Sequence, residues 1–122
     1  MIEIDYKSSL PIYEQIIEQF KLNIVKGIFR PGESVASVRK MAAMLDITPS
    51  TVAKAYAELE RQGVIETIRS KGTYISDTKT SQPSADVEKI KKRMLSDVIE
   101  LKHSGYSLKE MQQMLKELYD SI

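Results

Sequence analysis

The stretch ITPSTVAKAY, residues 47–56, places three hydroxyls, on Thr48, Ser50 and Thr51, around Pro49 and follows them with Lys54. Short hydroxyl side chains beside a cation can do either of two things: start a helix, or present a hydrogen-bonding surface to a polar partner. On a helix of 3.6 residues per turn, Ser50, Lys54, Ala57 and Arg61 share one face. Opposite them, Val52, Ala55, Tyr56 and Leu59 lie within about 100° of one another and face a core. Ser50, Ala53 and Ala57 are small enough for the outward face to enter a major groove, and Lys54 and Arg61 supply charge. Taken by itself, the stretch reads first as an ordinary capped helix with a solvated face. Thr48 suits the cap, and Pro49 the first helical position, where its missing N–H costs nothing. Both readings stay open until the neighbouring elements are considered.

Other chemistries lack the residues they need. Cysteine is absent, which removes disulfides and thiolate sites, and the single histidine, His103, argues against a histidine-based metal centre. His103 falls at a helix end, where a cation is mildly favoured. No paired carboxylates and no Ser-His or Cys-His set suggest catalysis, so no enzyme activity, catalytic residue, metal or cofactor is expected. The 122 residues, 42% of them apolar, suit one domain, or one small domain with an appendage. No apolar run approaches the ~18 residues of a membrane span and no signal-peptide pattern opens the chain, so a cytoplasmic protein with no membrane partner is expected. Net charge is only +1, weak for a nucleic-acid binder. Residues 30–72 nevertheless carry seven Lys/Arg against five Asp/Glu, whereas 1–29 carry three against four and 86–122 seven against seven. Basic charge is mildly concentrated in the middle.

The surrounding pattern predicts the elements that would position these residues. Ile12, Ile16, Phe20 and Ile24 recur at i+4 in PIYEQIIEQFKLNIVKG, with Tyr13, Ile17 and Ile28 widening the apolar stripe, predicting a helix over 11–26 that ends at Gly27. RPGES reads as a tight turn. Ser37 is placed to cap a short helix, VRKMAAMLD, with Val38, Met41, Ala42 and Leu45 on one face. After a break at 46–48, the opening stretch starts a helix that runs to about Gln62 and stops at Gly63, suited to a left-handed position. VIETI and TYIS, separated by RSKG, predict a small β-hairpin. The polar run DTKTSQPSAD, 77–86, reads as a linker. Two amphipathic helices then follow, with Ser107 and Glu110 spaced as a capping box and Tyr106 and Met111 as a hydrophobic staple.

Helix, helix, tight turn, helix and hairpin is the order of a winged helix-turn-helix. The expected fold is therefore mainly α with a small β-hairpin: a winged helix-turn-helix domain over 1–76, a linker over 77–86 and a helical tail over 87–122. PIYEQI, GIFRPGESVASVRKMAAMLDITPSTVAKAYAELERQGVIET and SKGTYIS resemble the GntR family of bacterial transcription factors in order and spacing over about residues 8 to 76. The short helical tail is similar to the YtrA branch of that family. The resemblance implies that Arg39 contacts DNA from the start of the second helix. Ser37, at that helix's cap, would direct its N-terminal amides toward a phosphate. Thr48, Pro49, Ser50 and Thr51 fall where base and phosphate contacts gather, with Lys54 a turn further on. Lys71 and Gly72 match a wing tip that approaches the minor groove, with Arg69 in the same loop. Tyr56 matches a core aromatic whose hydroxyl is placed to reach the backbone. Two departures stand out. Val35-Ala36 replaces the common Leu-Pro before Ser-Val-Arg, and Ser70 replaces the first glycine of a Gly-x-Gly wing, although serine tolerates positive φ poorly.

The tail is too short to build its own core. Ile90, Met94, Val98 and Leu101 form one apolar stripe; Leu108, Met111, Leu115 and Leu118, continued by Ile122, form another at 3-4-3-4 spacing. A two-helix dimerisation hairpin packed on a second copy is the economical way to bury both; folding back on the first helix is the alternative. KIKKR, 89–93, reads as a solvated face. The expected protein is a homodimeric regulator of double-stranded DNA, a repressor of its own or a transporter operon, on a roughly palindromic operator. The rival reading is a winged-helix protein-interaction module with weak or absent DNA binding, supported by Ser70 and the modest charge. An unidentified small-molecule effector has two candidate places, between domains or at the dimer seam, where Met94, Met111 and Met114 offer adaptable surface but read first as core.

Overall fold

The i+4 apolar recurrence near the start becomes α1, Ile12–Val25, in the computed structural model, which describes residues 1–77 and 84–122. Ile16 and Phe20 of α1 are wholly buried. α2 spans Val38–Leu45 and α3 Pro49–Arg61, separated by a three-residue turn in which Asp46 takes a left-handed conformation at φ 55°. Aspartate tolerates that region better than most residues. Val52, Ala55, Tyr56 and Leu59 are the buried residues of α3, as its periodicity predicts. They join Ile16, Phe20, Met41, Ala42, Ile65 and Ile75 in a single core beneath α1, α2 and the sheet. Phe20 is central to it: its ring centroid lies 5.2 Å from that of Phe29 and 5.6 Å, edge-on, from that of Tyr56.

The predicted hairpin forms as β2, Ile65–Ile68, and β3, Gly72–Ile75, paired antiparallel with Ile68 opposite Gly72. A third strand was not expected from the sequence. β1, Ser34–Val35, pairs with the other side of β3, giving the order β1-β3-β2. The turn at Pro31–Gly32 makes this possible, because it brings the Gly32 N–H to the Ile75 carbonyl at 2.8 Å and the Ile75 N–H to the Glu33 carbonyl at 2.8 Å. Two residues show no alternation, so the sequence carries no strand signal there.

A second unexpected feature precedes α1. Gln15, Gln19 and Asn23 recur at i+4 and bind the backbone of the first five residues. Gln15 accepts from the Asp5 N–H at 2.9 Å and donates to the carbonyls of Asp5 at 3.1 Å and Leu10 at 2.8 Å. Gln19 accepts from the Glu3 N–H at 2.6 Å and donates to the Glu3 carbonyl, and Asn23 donates to the Met1 carbonyl at 3.3 Å. Gln15 and Asn23 are buried, and these bonds satisfy their amides.

The chain divides into two compact units, Met1–Lys79 and Thr80–Ile122. Of the linker expected over 77–86, residues 78–83 lie outside the described residues. α4, Ser84–His103, begins three residues before the expected tail boundary; α5 is Leu108–Asp120. The capping box is formed: the Glu110 N–H donates to Ser107 Oγ at 3.1 Å and the Ser107 N–H donates to Glu110 Oε1 at 3.0 Å. Hydrogen bonding from the Ser107 backbone N–H, and then from its side chain, holds the Glu110 carboxyl below the usual carboxylate range. The two tail helices follow one another as expected, but α4 and α5 do not pack along one another. Their apolar stripes are not spent on each other. Ile90, Met94, Val98, Leu108, Leu115 and Leu118 are exposed, and Leu101 and Met111 are half-buried. Among the described residues, no helix is long and apolar enough to cross a membrane, and no cluster of His, Cys, Asp or Glu could hold a metal ion.

Candidate nucleic-acid interface

The start of α2 is held from inside. Tyr56 is buried, and its hydroxyl donates to the Ala36 carbonyl at 2.6 Å; burial pushes the phenol far above its usual range, so it stays a neutral donor. This bond pins the chain one residue before the cap, at the place where Val35-Ala36 stands instead of Leu-Pro. Ser37 then caps α2, its Oγ accepting from the Lys40 N–H at 3.2 Å. Arg39, in the first turn, is exposed. Tyr56→Phe should orphan the Ala36 carbonyl and cost about 1–2 kcal/mol. A thermal melt is expected to read that as a fall of roughly 5–10 °C in Tm for a unit of this size.

α3 begins differently from the expectation. Thr48 occupies the cap position, but its hydroxyl makes no capping bond to the backbone. Its Oγ1 lies instead 2.9 Å from Thr51 Oγ1 and 3.3 Å from Ser50 Oγ. The first turn is closed by the backbone, with the Thr51 N–H donating to the Thr48 carbonyl at 3.1 Å. The three hydroxyls form one cluster, in which Thr48 and Ser50 are exposed beside exposed Pro49 and Thr51 is half-buried.

Charge along α3 is arranged unevenly. Arg61 binds Glu58 through Nη2 at 2.6 Å and Nε at 3.0 Å, and Gln62 donates to the same carboxylate at 2.8 Å. These hydrogen bonds hold the Glu58 carboxyl down at about 2. The stabilisation they give is present above the ordinary carboxylate range and is lost as pH falls toward that value; at a largely solvated pair it is small. Lys54 takes another partner. Its Nζ lies 4.0 Å from the ring centroid of Tyr13 on α1. Tyr13 was not singled out as a site residue from the sequence, where it only widens the apolar stripe of α1.

The wing tip is a three-residue loop, 69–71, closed by the Lys71 N–H donating to the Ile68 carbonyl at 2.9 Å. Ser70 sits at φ 70° and Gly72 at φ 117°. The serine therefore adopts the left-handed conformation for which a glycine is better suited, and the loop closes without the first glycine. Tyr74 braces it, its hydroxyl donating to the Lys71 carbonyl at 2.9 Å. Arg69, Lys71 and Gly72 are exposed. All of Ser37, Arg39, Thr48, Pro49, Ser50, Lys54, Arg69, Lys71 and Gly72 thus lie at the surface of the first unit.

A family model described as bacterial regulatory proteins, gntR family, matches residues 12–75, more than half of the chain and all three core helices and strands of this unit. The chain belongs to the GntR family. Within the family it is YtrA-like: it is 44% identical over 119 residues to the HTH-type transcriptional repressor YtrA of Bacillus subtilis (strain 168), covering 97% of this chain and 92% of that protein. A solved structure described as a transcriptional antiterminator from Listeria monocytogenes EGD-e superposes with a TM-score of 0.91 at 36% identity, covering 98% of this chain and 90% of the other. YtrA from Sulfolobus acidocaldarius, described as a GntR-family transcription factor, superposes with a TM-score of 0.59 at 28% identity, covering 99% and 98%. This GntR-family chain is accordingly a transcriptional regulator with a winged-helix DNA-binding unit, and its relatives are regulators rather than enzymes.

Proposed function

We propose that this chain is a homodimeric, sequence-specific repressor that grips a roughly palindromic operator through the start of α2, the start of α3 and the β2–β3 wing. One observation carries the reading: Thr48, Pro49 and Ser50 stand exposed at the start of a helix whose opposite face is wholly buried, with Arg39 exposed on the adjoining helix. A hydroxyl-rich, small-residue front on a rigidly seated helix suits groove binding, and arginine suits phosphate or guanine. The tail supports the dimer. Its apolar stripes exceed the scattered exposed residues that a monomer tolerates, and a second copy would bury them across a two-fold axis. Dimerisation also doubles the phosphate contacts of a weakly charged chain and places two reading helices about one helical turn apart or a multiple of it.

The test is a gel shift of the full chain with a duplex from upstream of its own coding sequence, beside a mixed-sequence duplex of equal length. Autoregulation predicts at least about a thousandfold preference for the upstream duplex at moderate salt. Equal affinity for the two would remove that target.

A further inference from the structure

Lys54 is the one cation of α3 that ends on a ring instead of a carboxylate. An acid one turn along on the same helix would ordinarily take it, at i+4. That acid, Glu58, is already filled by Arg61 and Gln62. The other nearby carboxylate, on Glu14, accepts from the Tyr13 hydroxyl at 3.1 Å. Among the described residues Lys54 makes no ion pair; its Nζ rests 4.0 Å from the Tyr13 centroid while the side chain stays exposed. The distinction matters for a phosphate ligand. A salt bridge would cancel the charge and would have to break before a phosphate could replace it. A ring quadrupole localises an ammonium without cancelling it, and leaves its remaining N–H donors facing solvent. Tyr13 itself is half-buried and packed against the core, so the ring is a fixed platform on a neighbouring helix.

We infer that Tyr13 is a positioning residue of the DNA interface: its ring holds the Lys54 ammonium in place, outside any ion pair, for a backbone phosphate. The inference rests on the reading that α3 is the DNA-reading helix, and the site extends onto α1 as a result. Being a phosphate contact, it is independent of base sequence.

The experiment is a salt titration of the full chain on a mixed-sequence duplex, comparing wild type, Lys54→Gln, Tyr13→Leu, Tyr13→Phe and the Lys54→Gln/Tyr13→Leu double variant. Lys54→Gln should make the slope of log affinity against log salt shallower by about 0.9 for each phosphate it ceases to neutralise. Tyr13→Leu should weaken binding by about threefold where Lys54 is present and not at all where residue 54 is glutamine, and Tyr13→Phe, which keeps the ring but frees the Glu14 carboxylate, should weaken it less than Tyr13→Leu. Tyr13→Met, which keeps apolar volume, makes the same comparison if the leucine variant does not fold. An equal weakening by Tyr13→Leu in both backgrounds, or a weakening by Tyr13→Phe as large as by Tyr13→Leu, overturns the inference. If wild type binds and Lys54→Gln leaves the slope unchanged, the inference fails while the DNA-binding reading stands. If wild type shows no salt-dependent binding, both fail.

Discussion

Phe20→Ala should leave the winged-helix unit largely unfolded near physiological temperature. The ring is wholly buried and meets two other aromatic rings, those of Phe29 and Tyr56, at 5.2 and 5.6 Å. Truncation removes the transfer free energy of the ring and both aromatic contacts, and leaves a cavity where α1 faces α3. Such changes cost about 3–5 kcal/mol. Small domains commonly have only about 5–15 kcal/mol in total, and one of this length belongs at the low end. Circular dichroism during urea titration is the measurement, and a midpoint indistinguishable from wild type would mean that Phe20 does not join α1 to α3 as described. The effect on DNA would be indirect, because Tyr56 loses its neighbour and the Tyr56 hydroxyl is what holds the residue before Ser37.

Leu115→Glu has the second large effect, and it falls on assembly instead of folding. Leu115 is 57% exposed, and its replacement removes little from the isolated tail. In the proposed dimer it lies on the seam, where two new carboxylates would be desolvated close to one another. Sedimentation at micromolar concentration should then show a monomer, while the helical content of the chain is kept. Operator affinity should fall by about a hundredfold or more, since the second half-site is no longer tethered to the first. A variant that remained dimeric with full operator affinity would remove the α5 stripe from the interface.

How far these features could be read from the sequence depends on the range of the interactions that make them. α1, α2 and α3 follow from apolar periodicity, and Ser37 and the Ser107–Glu110 box are formed caps because a cap is settled within four residues. The core position of Tyr56 and the reach of its hydroxyl to the backbone were also legible, through the family pattern. Most of the features that were missed depend on residues distant in the chain. β1 exists only because the Pro31–Gly32 turn delivers it to β3, far along the chain. The Gln15, Gln19 and Asn23 amides face a backbone segment that no periodicity links to them. Thr48 was expected to cap α3; its hydroxyl turns to Thr51 and Ser50, a choice between two local partners that spacing alone does not decide. The tail forms the two helices its spacing predicts, and their stripes stay open in the single chain, where a second copy was the expected cover. Tyr13 illustrates the same limit. Its place in the α1 stripe reads as core, and only the fold reveals that the edge of that stripe lies under Lys54.

If the starts of α2 and α3 form a DNA-reading surface, Arg39 is the residue whose loss should show it. It is exposed, its removal leaves the Ser37 cap and the core untouched, and it is the arginine that opens α2. Fluorescence anisotropy of the full chain on the upstream duplex, wild type against Arg39→Ala at fixed moderate salt, should show a fall in affinity corresponding to about 1–3 kcal/mol, with an unchanged melting temperature. Wild-type binding that Arg39→Ala leaves intact would contradict the account.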